Sequence, residues 1–484
     1  MTSVKPEGLF DRDWEWSRLV RFAEEPGNAP RFGLVYGRRR QGKSLLTSHL
    51  CQVTGGFYWE ALDTEPTANL EALSAAWSNA TRSAGPVRFT SWAEAFASLL
   101  KYGSLGGGRV VVVDEVQRII NKVPELPSVL QSLLGPGGVG DTAGGTRLLL
   151  CGSAFGDLRR LLDGDAPLRG RASLELVVEP FDYRTAALFW GLGGNPAASF
   201  RLHSLIGGTP AYRLLAGDDS PSSDGDVDGW VIRRLLDPSS SLFREGRIVI
   251  SEDPQLGDRQ LFWGLLSAVA DGAKRWSDLT EALGAGRGSL QHALNVAIDA
   301  GWLVKVADPL RSNRFFYELT EPIVRFHRIV IERNERRLSL RRAADVWIDA
   351  APDVAARIAA PHLEALTQRW LLAHASGQTV GGTVTEVGAS SIDGVGQVDV
   401  VAVEATSTGG RRPILVGEVK ATAERVGATL LARVDAAATA LQKEGPVITR
   451  LLVSAAGFTS DLQRVAATRK DVQLVDLHRL YHGD

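Results

Sequence analysis

Eight consecutive residues, GRRRQGKS from Gly37 to Ser44, fit the phosphate-binding pattern G-x-x-x-x-G-K-[ST] in full. The glycines Gly37 and Gly42 let backbone N–H groups converge on phosphate oxygens at the start of a helix. In that setting Lys43 reaches the β- and γ-phosphates, and the Ser44 hydroxyl ligates Mg²⁺. With Gln41 as a further nucleotide contact, the loop predicts a site for ATP and Mg²⁺.

Two acidic residues end an apolar run, VVVVDE, at residues 110–115. A hydrophobic strand would deliver Asp114 to its carboxyl end, where a carboxylate can hold Mg²⁺ through water. Glu115 follows immediately and is placed to polarise the attacking water. We therefore expect Asp114 to bind metal, Glu115 to be catalytic and the nucleotide to be hydrolysed.

A second set of candidate residues lies in QVDVVAVEATSTGGRRPILVGEVK, residues 397–420, which is typical of two strands joined by a turn. Asp399 lies on the first strand. Glu418 and Lys420 are two residues apart on the second, so both side chains point to one face. Carboxylates of Asp399 and Glu418 can hold Mg²⁺, and Lys420 can support a water nucleophile. This pattern predicts Mg²⁺-dependent hydrolysis of a phosphodiester.

Two series of strands position these residues. Apolar runs at 32–36, 109–115 and 147–153, with a helix from about Ser44 to Cys51, predict a parallel sheet with helices on both faces. Residues 346–484 carry the second series. Its strands are expected at 383–387, 397–404, 413–420, 447–453 and 472–477, with helices at 354–374 and 424–443.

The chain between the two series is mostly helical in pattern. The acidic segment 217–228, rich in Ser, Pro and Gly, is expected to be a mobile loop or linker. Helical patterns at 261–270, 277–283 and 288–299, followed by a turn-punctuated stretch, outline a winged helix-turn-helix. A long charged helix is expected at about 321–343.

The third of the short helices would be the recognition helix. Such helices can read base edges while the wing touches phosphate, but winged helices also serve as packing modules between domains. Both interpretations stay open. The candidate contacts are Arg287, Gln291, His292 and Asn295 on one helix face and Lys305, Arg311 and Arg314 on the wing.

Four segments together resemble the archaeal-type AAA+ ATPases, which lie close to the signalling NTPases called STAND. They follow the family order over roughly residues 1–345. FDRDWEWSRL resembles the F-x-x-R-x-x-E-x-x-x-L box before the phosphate loop. The others are LLLCGSAFGDLRRLL at the third strand, APLRGRASLELVVEPF at 166–181, and LIGGTPAYRLL at 205–215 in the lid.

The resemblance implies roles for further residues. Ser153 takes the sensor-1 position, and Arg169 or Arg171 senses the γ-phosphate or acts as a finger. Because Arg169 stands where the family usually shows Tyr, Arg171 is the stronger candidate.

The C-terminal pattern, D…E-x-K with a Glu on an upstream helix, resembles the PD-(D/E)XK nuclease superfamily. Glu364, in PHLEALTQRWLLAH, matches the helical Glu of that superfamily. The resemblance implies that Glu364, Asp399, Glu418 and Lys420 are catalytic. Gln397 occupies a place where many relatives carry an acid, which could weaken a second metal site. A degenerate domain that binds nucleic acid without cutting it is the alternative.

The composition is that of an ordinary globular protein. In 484 residues, 54 basic and 56 acidic side chains give a net charge of −2, so no global positive field marks a nucleic-acid binder. Two cysteines are too few for a disulfide framework or a four-ligand zinc site. No stretch approaches about 20 uncharged apolar residues, so we expect a cytoplasmic protein without a membrane partner.

These features combine into one expected architecture of the α/β class. An AAA+ P-loop parallel sheet core spans 1–178, a helical lid 179–250, a winged helix with a connecting helix 251–345, and a restriction-endonuclease-like α/β domain 346–484. The expected function is an ATP-dependent or ATP-regulated nuclease whose partner is DNA, whether duplex, branched or single-stranded, with a homo-oligomer left open. The alternative is a STAND-like, nucleotide-switched regulatory or DNA-binding ATPase whose C-terminal domain does not cut.

Overall fold

The computed structural model describes residues 4–83, 85–106, 108–139, 144–153, 155–162, 164–252, 259–407, 409–442 and 445–484, with the side chains of residues 155 and 157 outside the description. The described chain divides into two compact units. The first is residues 4–180, and the second is residues 181–252 and 259–484. Within the described ranges, no helix combines the length and the apolar character needed to cross a bilayer.

The first unit is built on a five-stranded sheet in the order β2-β3-β4-β1-β5, with every neighbouring pair parallel. Its strands are β1 Arg31–Tyr36, β2 Phe57–Glu60, β3 Val110–Asp114, β4 Arg147–Gly152 and β5 Ala172–Val177. Its helices are α1 Asp13–Glu24, α2 Lys43–Thr54, α3 Pro66–Thr81, α4 Trp92–Leu99, α5 Gln117–Ile120, α6 Leu126–Leu133 and α7 Phe155–Arg160, with a 3₁₀ turn at Tyr102–Leu105.

This sheet is covered on both faces. Leu34 and Tyr36 of β1 pack in one hydrophobic cluster, whereas Val35 between them packs in another. Every residue of β3 and β4 is buried, as expected for central strands of a parallel sheet. The predicted parallel α/β sheet is confirmed. Sequence analysis missed β2 and β5, because one is only four residues long and the other is a partly exposed edge strand.

The second unit begins with helices and a hairpin. Its elements to residue 319 are α8 Tyr183–Phe189, α9 Pro196–Ile206, α10 Ala211–Leu215, α11 Asp224–Arg234, α12 Glu245–Ser251, α13 Arg259–Ala270, α14 Trp276–Leu283, α15 Arg287–Asp299, β6 Leu303–Asp308 and β7 Arg311–Leu319. The last five have the order of three helices followed by an antiparallel hairpin that the sequence predicts for 261–319.

One expectation in this region is wrong. The segment 217–228 was expected to be a mobile loop or linker, but α11 begins at Asp224 inside it. The acidic first turn suits a helix N-terminus, because negative charge there is stabilised by the helix dipole. Val227 and Trp230 then bury one face of the helix. The polar residues of the first turn made the segment look like a loop, but the helix is stabilised by the burial of its apolar face.

A nearly continuous helical run connects the hairpin to the second sheet. It comprises α16 Pro322–Phe326, a π-helical segment His327–Ile331, α17 Glu332–Ser339, α18 Ala343–Asp353, a second π-helical segment Val354–Ala359, α19 Ala360–Ala373 and α20 Gly377–Val380. The expected charged helix at 321–343 thus ends at Ser339, and Arg341 in the following turn has a positive φ of 60°.

The second sheet is mixed, in the order β12-β11-β10-β9-β8. Strands β8 to β10 are antiparallel, whereas β10, β11 and β12 are parallel. Its elements are β8 Glu386–Ile392, β9 Gly396–Ala405, β10 Arg411–Lys420, α21 Ala428–Leu441, β11 Thr449–Ser454, α22 Ser460–Thr468, β12 Val472–Asp476 and α23 Leu477–His482. This α/β arrangement is compatible with the predicted C-terminal fold.

The β6–β7 hairpin packs against the edge of this sheet. The carboxylate of Asp308 is fully buried and accepts a 2.6 Å hydrogen bond from the Ser390 hydroxyl on β8. Arg311 forms a 3.3 Å ion pair with Asp393. The tip of the hairpin therefore covers a strand edge, a packing role that the sequence left as one of two options.

The recognition-helix candidates have a different environment. Arg287, Gln291, His292 and Asn295 on α15 are all exposed. Gln291 donates a 2.9 Å hydrogen bond to Asn295, which pre-orders part of this face. A role of α15 in contacting DNA therefore stays a prediction.

Two histidines, the buried His203 and the partly buried His362, join α9 to α19. Nδ1 of His203 and Nε2 of His362 lie 2.8 Å apart. Burial lowers the pKa of His203 to about 3 and holds the pKa of His362 well below its ordinary value, with Arg369 adding to both effects. Both rings are therefore neutral in the folded protein at neutral pH.

This pair predicts a loss of stability in mild acid. Histidine in the unfolded chain titrates near pH 6.5, so below that pH the unfolded state binds more protons than the folded state. The free energy of unfolding should fall as the pH drops below about 6.5. Each of the two histidines should contribute a loss of about 1.4 kcal/mol for each pH unit. Urea unfolding at neutral and mildly acidic pH measures the effect. His203→Gln should reduce it, and an unchanged pH dependence in that variant would contradict the assignment.

Candidate functional site

The phosphate-binding loop joins β1 to α2 in a backbone shape that requires glycine. Gly37 has a φ of 151°, and a Cβ there would collide with the carbonyl oxygen of Val178. Gly42 has a φ of 89° and forms the N-cap of α2. Ser44 is exposed in the first turn of that helix. The loop therefore presents backbone N–H groups and a hydroxyl at a helix N-terminus, which is a suitable environment for phosphate.

Lys43 lies where this loop meets the strand-end acids. Its side chain is buried, and its ammonium donates a 2.7 Å hydrogen bond to the carbonyl oxygen of Arg38 within the loop. Burial lowers the pKa of Lys43, and the nearby Glu115 and Asp114 oppose that shift. The structure thus brings together the lysine and both acids that the sequence identifies.

Asp114 ends β3 with its side chain fully buried. Its Oδ2 accepts a 2.6 Å hydrogen bond from the hydroxyl of Tyr58 on β2, and its Oδ1 accepts one of 2.8 Å from the Glu115 amide. Burial, followed by the charge of Asp114, raises the pKa of Tyr58. Tyr58 therefore keeps its proton and holds the carboxylate in one orientation.

Glu115 has a strained backbone, with a φ of 50°. Non-glycine residues in this region concentrate at functional sites. Its carboxylate accepts hydrogen bonds from the Gln117 amide and, at 3.3 Å, from the Ser153 hydroxyl. The same hydroxyl accepts a 3.4 Å hydrogen bond from Arg39 of the phosphate loop. Ser153 thus links the loop to the predicted catalytic acid.

Two predicted nucleotide contacts have other partners. Gln41 is buried in the loop, and its carbonyl oxygen accepts a 3.2 Å hydrogen bond from Arg12. Arg171 donates a 3.3 Å hydrogen bond to the carbonyl oxygen of Leu134, just after α6. The described contacts do not join Arg171 to the phosphate loop, so its role as sensor or finger stays a prediction.

The second constellation is assembled on adjacent strands of the mixed sheet. Asp399 is on β9, whereas Glu418 and Lys420 are on β10. The Lys420 ammonium lies 3.1 Å from Oε2 of Glu418 and 3.5 Å from Oδ2 of Asp399. The Val419 amide also donates a 3.0 Å hydrogen bond to Asp399. The residues predicted from the D…E-x-K pattern therefore lie together.

Their charges interact strongly. Burial, followed by the charge of Asp399, raises the pKa of Glu418, whose side chain is only 2% exposed. Burial alone would lower the pKa of Lys420, but Asp399 and Glu418 outweigh it and raise the pKa. Lys420 therefore stays protonated and neutralises part of the acidic charge.

Glu364 faces the same cluster from α19. Burial raises its pKa, the Lys274 ammonium 3.5 Å away lowers it, and Asp399 raises it again. Among the described residues, however, no three His, Cys, Asp or Glu side chains are grouped closely enough to hold a metal ion. Mg²⁺ is commonly held by one or two carboxylates together with water and substrate phosphate. The pair of Asp399 and Glu418 fits that requirement without Glu364 as a third ligand.

Comparisons with known proteins match the part of the chain that contains the phosphate-binding loop and the strand-end acids. Residues 9–211 match the family model described as an ATPase domain predominantly from Archaea. These residues form an archaeal-type ATPase domain. No curated protein matches the sequence significantly.

Two solved structures are similar to this chain. A Walker-type ATPase of Pyrococcus abyssi is 22% identical, with a TM-score of 0.50 over 67% of this chain and 97% of that one. The ORC2 protein of Aeropyrum pernix, solved with ADPNP and ADP, is 13% identical, with a TM-score of 0.46 over 73% of this chain and 98% of that one. The first likeness supports the P-loop ATPase fold.

Several residues at these sites escaped sequence analysis. In the ATPase domain, Tyr58 and Gln117 contact the predicted acids, but neither belongs to a recognisable spacing. In the second constellation, Nε of Arg433 on α21 lies 3.1 Å from Oε1 of Glu418. Nη2 of Arg433 donates a hydrogen bond to the backbone carbonyl oxygen of Gln397. Such contacts depend on tertiary packing, and only the short strand FYWE could have drawn attention to Tyr58.

Removal of the Tyr58 hydroxyl tests its orienting role in the ATPase domain. Tyr58→Phe should lower the kcat for ATP about ten-fold with little change in KM, because an outer partner orients Asp114 rather than touching nucleotide. Steady-state ATPase kinetics measure this effect. Tyr102→Phe, at a buried tyrosine of the same unit, is the matched control. Equal kcat values for the two variants would refute the assignment.

Proposed function

We propose that the protein is an ATP-regulated deoxyribonuclease in which the archaeal-type ATPase domain controls Mg²⁺-dependent cleavage by residues 346–484. The proposal rests above all on the cluster of Asp399, Glu418 and Lys420 on paired strands. ATP hydrolysis in the first unit does not use this cluster, and a buried carboxylate beside a second acid and a lysine is typical of a functional site. We further propose a cytoplasmic location, a helical lid at 179–250 and a winged helix at 251–345.

In the ATPase domain, each residue has a distinct task. The loop glycines and Gln41 bind the phosphates through backbone groups, and Lys43 balances the β- and γ-phosphate charge. Ser44 and Asp114 would hold Mg²⁺, which supplies charge neutralisation when bound. Glu115 accepts a proton from the attacking water. Ser153, through its contact with Glu115, is positioned to report whether the γ-phosphate is present.

In the C-terminal domain, Asp399 and Glu418 are the expected Mg²⁺ ligands. Bound there, Mg²⁺ would lower the pKa of a water molecule and stabilise charge on the phosphate. Lys420 orients the water and offsets the negative charge of both acids. Glu364 contributes a further carboxyl group beside Asp399, and burial raises its pKa.

A cleavage assay tests this function directly. Purified full-length protein is incubated with labelled linear duplex, flapped, branched and single-stranded DNA, with and without ATP, in Mg²⁺ or EDTA. We expect Mg²⁺-dependent cleavage of at least one substrate and a change in its rate on addition of ATP. If every substrate stays intact in all conditions, the nuclease proposal is wrong.

One observation favours a second candidate, the STAND-like switch. Lys420 and Arg433 both contact Glu418, so two cations of the chain itself can balance this acid in place of Mg²⁺. In that case the C-terminal domain would bind a partner or DNA without cutting. Tight ATP binding with slow turnover, and an oligomeric state set by the nucleotide, would support the switch. A role in DNA binding by α15 or its hairpin belongs to either candidate.

A further inference from the structure

A recess in the second unit borders the helix that carries Glu364. Its wall includes Lys274 after α13, Tyr317 and Glu318 on β7, Arg325 on α16 and His362 on α19. Two of these five residues are cations, and both come from outside residues 346–484. The recess is therefore built jointly by the predicted winged-helix region and the C-terminal domain.

Arg325 is the unusual member of this wall. Its guanidinium makes no hydrogen bond or close ion pair with any residue in the described part of the chain. Burial lowers its pKa, and the longer-range charges of Glu318 and Glu364 partly restore it. A recessed charge without hydrogen bonds is unfavourable unless water or a ligand supplies partners. The planar guanidinium fork is well matched to phosphate oxygens.

Lys274 provides a second cation in the same place. Its ammonium lies 3.5 Å from Oε2 of Glu364, which is long for a hydrogen bond. Its carbonyl oxygen accepts a 2.8 Å hydrogen bond from the Tyr317 amide, which fixes the loop against the hairpin. An ammonium has three donors, and one long contact leaves the others available to a ligand.

The geometry points to a phosphate-binding site in this recess: we propose that Lys274 and Arg325 hold a backbone phosphate of the DNA strand beside Glu364. This inference rests on the proposed nuclease function and extends it, since the DNA-binding site of the nuclease would be completed by residues outside 346–484. Acidic side chains alone would repel the strand, so cations at this edge are what a polyanionic substrate requires. The site would couple the position of the winged-helix region to cleavage.

The test measures binding separately from cleavage. Full-length wild type, Arg325→Gln and Lys274→Gln are titrated against the labelled DNA that the wild type cuts best, with Ca²⁺ in place of Mg²⁺. We expect each variant to bind about 10- to 100-fold more weakly, the range for loss of one charged hydrogen-bonding group. The slope of log affinity against log salt should fall by about 0.7 to 0.9 for each lost contact. Arg336→Gln, exposed on α17, carries the same charge change and should bind within about two-fold of wild type.

Arg325→Lys guards against a folding artefact. This variant keeps the positive charge but lacks the planar, bidentate guanidinium. It should therefore recover part of the DNA affinity that Arg325→Gln loses. Recovery of the melting temperature without recovery of binding would overturn the proposal. So would equal weakening by Arg336→Gln, because the effect would then be one of general charge. If both recess variants bind and cut as the wild type does, the recess proposal fails while the nuclease function stands. If the wild type neither binds nor cuts DNA, the two fall together.

Discussion

Lys43→Ala should reduce the kcat/KM for ATP by at least about 100-fold, because in the proposed mechanism this residue supplies the cation that meets the charge developing on the transferred phosphate. Its ammonium is buried between the loop carbonyl of Arg38 and the two strand-end acids. The other cation nearby, Arg39, is hydrogen-bonded to the Ser153 hydroxyl and so is already engaged. Replacement of Lys43 by alanine therefore removes the ammonium group, and no other cation takes its place.

Steady-state phosphate release measures the loss, and Lys122→Ala is its matched control. Lys122 lies in the same unit, and its contacts with Thr64 and Glu65 are exposed. The control should keep wild-type turnover. If Lys43→Ala still turns over ATP at the wild-type rate, the loop is not the catalytic nucleotide site. The same variant also decides the direction of regulation, because faster cleavage would mean that ATP restrains the nuclease and slower cleavage that it stimulates it.

Lys420→Ala should lower DNA cleavage by about 1,000-fold, a loss of about 4 kcal/mol of transition-state stabilisation. Lys420 is the group that contacts both Glu418 and Asp399. Without it, the two acids repel each other, and the attacking water of the proposed mechanism loses its positively charged neighbour. The ATPase rate should be unaffected, because this constellation lies outside the residues that match the ATPase family.

Single-turnover cleavage with saturating enzyme measures the chemical step. Lys470→Ala, an exposed lysine of the same unit, is the control and should cut normally. Circular dichroism melting checks that the variant is folded. We expect it to be folded, because Arg433 still pairs with Glu418. Cleavage by Lys420→Ala at the control rate would remove the C-terminal domain from the chemistry. Absence of cleavage in every variant, with ATP turnover lost only in Lys43→Ala, would favour the regulatory switch.

Local patterns in the sequence proved informative wherever chemistry demands a fixed spacing. The phosphate loop needs its glycines at residues 37 and 42 because only glycine fits those backbone angles. The acids at 114 and 115 follow directly from a strand of four consecutive valines. Strand alternation likewise brought Glu418 and Lys420 to one face. These inferences needed no tertiary information, because the residues are neighbours in the chain.

Tertiary structure decided the contacts between residues distant in sequence. Tyr58 reaches Asp114 only because β2 and β3 are neighbours in the sheet, and Arg433 reaches Glu418 only because α21 packs over β10. The tip of the β6–β7 hairpin packs against β8 through Asp308, a contact that the charges in the sequence do not predict. Arg325 and Lys274 belong to a recess whose walls come from elements far apart in the chain, from α9 to α19. Sequence alone thus determined which groups can perform chemistry, whereas packing determined their partners, because burial and long-range pairing depend on the whole fold.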